Sequence, residues 1–200
     1  LPDKLLLATN NQGKARELKE LLRELPFELV LPGELGITAE VDETGRSLEE
    51  NARLKATVLA KASRLLTLAD DSGLEVEALG GEPGPLSARY AGEGATDKER
   101  VEYLLVKLKG VPRQKRTARF RCVIAIATPE GKVELCSGEC RGLIIFGPRG
   151  EKGFGYDPVF YFPELDKTMA ELPLEVKNKV SHRGVAAREA VKYLRRKYNL

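Results

Sequence analysis

The chain has 200 residues, enough for one ordinary domain or two small lobes around a buried apolar core. Its 42% hydrophobic and 32% charged content argues against disorder, and 33 basic against 30 acidic side chains, a net charge of +3, argue against non-specific binding to nucleic acid or membrane. No apolar stretch approaches the roughly 20 residues that span a bilayer, and three cysteines with one histidine support neither a disulfide framework nor a structural zinc site. With no signal-peptide pattern either, the expected compartment is the reducing cytosol.

Residues 4 to 8 are predicted as a first strand. The helix after it carries Leu18, Leu21, Leu22 and Leu25 at i, i+3, i+4 and i+7, a single apolar stripe closed by Pro26. Residues 27 to 31 read as a second strand, ended by Pro32-Gly33, and a loop with Asp42, Glu43 and Gly45 follows. Ser47 and Glu50 make a capping box for a helix to about residue 64, with Ala52, Ala56, Leu59 and Ala60 along one side. Residues 66 to 69 form a strand running into Asp70-Asp71-Ser72-Gly73, and residues 74 to 79 resume an extended pattern. The Gly- and Pro-rich residues 80 to 95 are an ordered loop, after which Thr96 caps a helix through about Lys109. Residues 117 to 128 are a strand, Pro129-Glu130-Gly131 a hairpin turn, and residues 132 to 146 one or two returning strands. A second glycine-rich loop spans residues 147 to 158, and Ser181 caps a last helix with a stripe of Ala187, Ala190, Val191, Leu194 and Tyr198. Helices alternate with strands at both ends and the middle is antiparallel, which predicts an α/β fold with a long mixed sheet flanked by helices.

Five polar clusters stand where apolar elements end. Thr9, Asn10, Asn11, Gln12, Gly13 and Lys14 open the first helix, where unsatisfied N–H groups attract anions; the stretch is either a capped turn or a phosphate cradle. It is not a Walker A loop, because Ala8 and Ala15 stand where that motif needs Gly and Ser or Thr. Asp70 and Asp71 are adjacent on an extended chain and so face opposite ways; they suit either an Asx-type turn or a hard cation with a positioned water. Asp42 and Glu43 are either surface charge or further oxygen ligands, and Lys55 flanks the alanine stripe beside them. In Gly153-Phe154-Gly155-Tyr156-Asp157-Pro158, the glycines leave the Phe154 ring open to a flat partner, and Asp157 can accept hydrogen bonds from a base or a ribose. Lys177, His182 and Arg183 gather at the start of the last helix, where cations are disfavoured unless an anion or acceptor lies near.

The runs TNNQGKARE, ADDSGLEVEALGGEPGPLSARYAG, KGFGYDP and SHRG, in that order, resemble the inosine-triphosphate pyrophosphatase family, also called XTP/dITP diphosphatases. The resemblance implies Mg²⁺-dependent hydrolysis of ITP, dITP and XTP to the monophosphate and pyrophosphate. It implies a cytoplasmic homodimer, two lobes in each protomer and the active-site cleft between them. Carried onto this sequence, Thr9 to Lys14 is the triphosphate loop, Lys55 a phosphate ligand, Asp71 the catalytic acid–base, and Ser72 a substrate contact. Asp42 or Glu43, with Asp70 and Asp71, would hold metal. Phe154, Gly155, Tyr156, Asp157, Lys177, His182 and Arg183 would form the base pocket, with Lys177, His182 or Arg183 aimed at the purine C6 oxygen. The rivals are another house-cleaning nucleotide pyrophosphatase, acting on modified pyrimidines or methylated nucleotides, and a non-catalytic nucleotide-binding module.

Overall fold

Leu5, Leu6 and Leu7 are completely buried in strand β1 (Lys4–Leu7), which explains why an unbroken apolar run, rather than an alternating one, opens the chain. β1 pairs in parallel with both β2 (Glu28–Val30) and β3 (Leu66–Val76), and such inner parallel strands are covered on both faces. In the computed structural model, which describes residues 2–38, 41 and 43–200, these belong to an eight-stranded mixed sheet. The other strands are β4 (Pro83–Gly84), β5 (Thr117–Ala127), β6 (Val133–Ile144), β7 (Phe160–Phe162) and β8 (Lys167–Thr168). Their order is β2-β1-β3-β5-β6-β7-β8, with β4 on β3. The helices are α1 (Gln12–Leu21), α2 (Leu48–Ser63), α3 (Asp97–Lys107), α4 (Leu174–Val180) and α5 (His182–Tyr198). None of the described helices is long and apolar enough to cross a membrane.

The chain packs as two units: Leu1–Asp71 with Cys122–Gly138 and Arg183–Leu200, and Ser72–Arg121 with Glu139–His182. In the first, the two-residue period of a strand sorts side chains between two cores. Leu5 and Leu7 of β1 and Leu66 and Leu68 of β3 meet Leu18 and Leu22 beside α1 and Ala187, Ala190 and Leu194 of α5. Leu6, Ala8 and Ala69 point the other way, onto Leu48, Ala52, Ala56, Leu59 and Ala60 of α2. Burying a leucine such as Leu18 or Leu22 contributes about 2–3 kcal/mol, so α1 is held chiefly by its stripe rather than by helix propensity.

In the second unit, Leu104 and Leu108 pack with Phe120, Phe160, Val159 and Met169. α3 begins with a complete capping box, in which Thr96 Oγ1 accepts from the Glu99 N–H and Glu99 accepts from the Thr96 N–H. After α3 ends, the buried Arg116 donates to the Leu108 and Val111 carbonyls at 2.8 and 2.9 Å. It thereby satisfies acceptors that a helix end leaves open.

Two expectations shift. Asp70-Asp71-Ser72-Gly73 is no turn; it lies inside the eleven-residue β3. At α2, Ser47 accepts from the Glu50 N–H at 3.1 Å, but the Glu50 carboxylate reaches the Arg46 N–H at 2.7 Å instead of closing the box on Ser47. The short β4, β7, β8 and α4 fall where the sequence pattern predicts no regular element.

Candidate active site

The same two-residue period that sorts the cores also divides Asp70 from Asp71. Asp70 continues the Leu66–Leu68 face, toward α1 and α5, whereas Asp71 continues the Ala69 face, toward α2. On the first side Arg183 of α5 donates from Nε and Nη2 to Asp70 Oδ2, each at 3.1 Å, and from Nη1 to Glu17 Oε2 of α1 at 2.6 Å. Lys14 Nζ stands 3.2 Å from the same Asp70 oxygen. Arg183 is 2% exposed and Glu17 2%. Two carboxylates and two cations thus alternate along Glu17–Arg183–Asp70–Lys14, the first three buried and Lys14 half-buried. Burial opposes ionisation of Asp70, but Lys14, Arg183 and Lys55 outweigh it and hold its carboxyl well below the usual range. Burial likewise opposes the Arg183 charge, and Asp70 and Glu17 outweigh it, raising its pKa further.

Asp71 has weaker compensation. Burial pushes its carboxyl up to about 6; the negative charge of Glu43 adds to this, while Lys14, Lys55 and the Asn51 side chain pull it down. Asn51, buried on α2, also accepts the Gly45 N–H at 2.8 Å through Oδ1. A Cβ on Gly45 would stand 2.5 Å from that oxygen and 2.8 Å from the Glu50 Cβ, so the acidic loop needs glycine there to approach α2. Lys55 forms an ion pair with Glu43 and donates to the Asp70 carbonyl at 3.1 Å. Ser72, next along β3, is half-buried.

At the start of α1, Asn11 is the cap: its Oδ1 accepts the Lys14 N–H at 3.0 Å. Thr9 Oγ1 accepts the Asn11 N–H at 3.1 Å. Capped turn and anion site therefore coexist, since the cap satisfies one N–H and the helix start keeps its partial positive charge. Asn10, Asn11 and Gln12 are exposed, while Thr9, Gly13 and Lys14 are half-buried.

A second cluster lies in the other unit. Asp157 Oδ2 accepts from Lys177 Nζ at 2.5 Å and from the Phe154 N–H at 2.9 Å, and Lys177 Nζ sits 4.7 Å from the Phe154 ring centroid. Gly153 adopts a φ of +76°, and a Cβ there would strike the Asp157 carboxylate. Tyr156 donates to the Ser87 carbonyl at 2.7 Å, and Gly155 has a φ of +61°. The His182 ring stacks on Phe120 at 4.6 Å with an 11° interplanar angle, and its Nδ1 is 3.9 Å from Cys140 Sγ. Burial pushes the Cys140 thiol up to about 12, so it meets His182 as a neutral group.

These positions bring Lys14, Lys55, Glu43, Asp70 and Asp71 together in the first unit and Phe154, Gly155, Tyr156, Asp157, Lys177 and His182 in the second. Arg183, expected in the base pocket, belongs to the first unit, where its guanidinium pairs with the buried carboxylates of Asp70 and Glu17. Asp70, expected to hold metal, gives Oδ2 to Arg183 and Lys14. Asp42 lies outside the described residues. Among the described residues no group of three His, Cys, Asp or Glu is preassembled for a metal. Asp71 and Glu43, two oxygen donors that sense each other's charge, nonetheless fit a hard divalent cation in chemistry. Sequence reasoning missed Glu17 and Asn51. Each is a polar residue on an apolar helix stripe, Glu17 beside Leu18 and Leu21, Asn51 beside Leu48 and Ala52, and that placement was the available signal.

Comparison with known proteins shows what the whole chain is similar to. The chain is 51% identical over 195 residues to the dITP/XTP pyrophosphatase of Desulforamulus reducens, covering 98% of this chain and 97% of that protein. It is 47% identical to the dITP/XTP pyrophosphatase of Bacillus subtilis, over 94% of this chain and 96% of that one. The structure of the Staphylococcus aureus Ham1 protein, 44% identical, superposes with a TM-score of 0.86 over 97% of this chain and 99% of that one. Such relatives define a class of nucleoside-triphosphate pyrophosphatases, hydrolases of phosphoanhydride bonds. The chain belongs to the Ham1 family, whose model matches residues 5–193.

Proposed function

We propose that the protein hydrolyses non-canonical purine nucleoside triphosphates, ITP, dITP and XTP, to the monophosphate and pyrophosphate with Mg²⁺. The observation that carries this reading is the division of labour between adjacent carboxylates: Arg183 and Lys14 hold the Asp70 carboxyl low, while burial and the neighbouring Glu43 push that of Asp71 up to about 6. Neighbouring carboxylates pushed apart in pKa are a usual arrangement for acid–base work. The relatives named dITP/XTP pyrophosphatases support the substrate class.

In this reading the triphosphate lies against the start of α1. The N–H groups there, with Thr9, Asn10, Gln12, Gly13 and Ser72 as hydrogen-bond partners and Lys14 and Lys55 as point charges, stabilise charge building on the departing pyrophosphate. Asp71 orients water for in-line attack on the α-phosphorus and takes its proton. Asp71 and Glu43, with Asp42 of the same loop, would hold Mg²⁺, which supplies charge neutralisation on the phosphate oxygens when bound. Arg183 and Glu17 act indirectly, by fixing Asp70 and through it Lys14. The purine stacks on Phe154, and Asp157, Lys177 and His182 supply the polar edge. A site whose donors face the C6 position favours an oxo base, because adenine would present a donor to donors; hydrogen-bonding sites discriminate by about 10⁴-fold. The family resemblance supports a homodimer, and the resemblance together with the cysteine usage supports a cytosolic location. Pyrophosphate release from ITP, XTP, dITP, GTP and ATP, with and without Mg²⁺, tests the reading.

A further inference from the structure

Two peptide N–H groups flank the Phe154 side chain, its own and that of Gly155, and a carboxylate accepts each. Asp157 Oδ2 takes the first at 2.9 Å, and Asp97 Oδ2, in the first turn of α3, takes the second at 2.7 Å. Asp97 is itself set in place. Its other oxygen pairs with Arg100, which donates to the Ala88 and Ala95 carbonyls at 2.8 Å each. A side-chain acceptor also suits its place at the N-terminus of an eleven-residue helix. The turn needs outside support, since Gly153 and Gly155 both have positive φ and glycines hold their backbone only weakly. Fixing the peptide planes on both sides of Phe154 fixes the direction of its Cα–Cβ bond and so narrows where the ring can lie, leaving χ1 and χ2 to set its plane.

We infer that Asp97 is a positioning residue for base recognition, holding Phe154 from α3 while Asp157 holds it from within the turn. This rests on the reading that Phe154 receives the purine. A hydrogen bond to a carboxylate contributes enough to change an equilibrium by about tenfold at a half-exposed site. Asp97→Ala should therefore speed amide exchange at Gly155 about tenfold and raise KM for ITP by a similar factor, with kcat within about twofold. Asp97→Asn retains a side-chain acceptor oxygen and should bring KM back to within about threefold of the parent. It also guards against a simple folding defect, as does thermal melting of both variants.

The measurements are Gly155 amide exchange by NMR and steady-state kinetics with ITP, with Phe154→Ala run in parallel. Faster Gly155 exchange, a raised KM and rescue by Asn would establish the role. Unchanged exchange in Asp97→Ala, or faster exchange with unchanged KM, overturns it if Phe154→Ala has raised KM. If Phe154→Ala leaves KM unaltered, the base-site reading fails and takes the positioning role with it.

Discussion

Arg183 places two of its nitrogens on one oxygen of Asp70, Nε and Nη2 each 3.1 Å from Oδ2, in a position where both side chains are out of contact with solvent. In the proposed reading a guanidinium so committed acts by ordering Asp70 and, through it, Lys14. Removing one member of a buried ion network leaves the others uncompensated, at a cost of about 3–5 kcal/mol. Arg183→Ala should therefore lower the melting temperature by about 10 °C, at roughly 2–4 °C per kcal/mol for a chain of this size. Turnover of ITP and ATP should fall together. A selective loss of ITP with unchanged melting would return Arg183 to the base pocket.

Asp70 and Asp71, neighbours in sequence, should respond to pH with opposite signs. Asp70 has a depressed folded pKa, so its contribution to stability is complete above the unfolded value near 3.8 and is lost as pH falls through the folded value. Asp70→Asn should be less stable than the parent at pH 7, and the gap should narrow below pH 4. Asp71, raised from 3.8 to about 6, binds a proton more tightly when folded, so its favourable contribution is present below the unfolded pKa and is lost as pH rises through 6. In metal-free protein Asp71→Asn should consequently gain about 2–3 kcal/mol at neutral pH, and the gain should vanish near pH 4. Urea unfolding of both variants across pH 3.5–8 checks the two signs together.

That stabilised Asp71→Asn protein should be nearly inactive, since the amide cannot take a proton from water. General-base removal costs about 10²–10⁴-fold in rate. Stability and activity would then move in opposite directions at a single residue, measurable by melting and pyrophosphate release on one preparation.

Asn51 and Gly45 offer a test of the α2 side. Asn51→Leu removes both the acceptor for the Gly45 N–H and the hydrogen bond that lowers the Asp71 pKa. The Asp71 carboxyl should move further up, and binding of Mg²⁺ to the substrate-free protein, followed by calorimetry, should weaken by about tenfold. Gly45→Ala should act in the same direction by pushing the acidic loop off α2.

The fold's outline was legible where local signals agree. The Leu5-Leu6-Leu7 run, the α1 stripe, the Thr96 cap and the β5–β6 hairpin were all readable, because each depends on residues close in the chain. Asp70-Asp71-Ser72-Gly73 offered an alternative because Asp and Gly are turn formers, yet the flanking apolar residues carry one strand straight through. β7, β8 and α4 are two to seven residues long, too short for a period to show. In the site, residue types were legible but their partners were not. Asp70 and Arg183 are 113 positions apart, and only the fold decides that α5 delivers its cation to a carboxylate in β3. Glu17 was hidden for the same reason.

The proposed activity is Mg²⁺-dependent pyrophosphate release from ITP, dITP and XTP that uses Asp71. The most direct measurement is initial-rate pyrophosphate release from ITP, dITP, XTP, GTP and ATP, with Mg²⁺ and with chelator, for the parent and Asp71→Asn. Fast release from ITP, dITP and XTP, with ATP far slower and with loss of activity on chelation or in Asp71→Asn, is the expected result. Comparable rates on ATP and ITP, or full activity in Asp71→Asn, would contradict it.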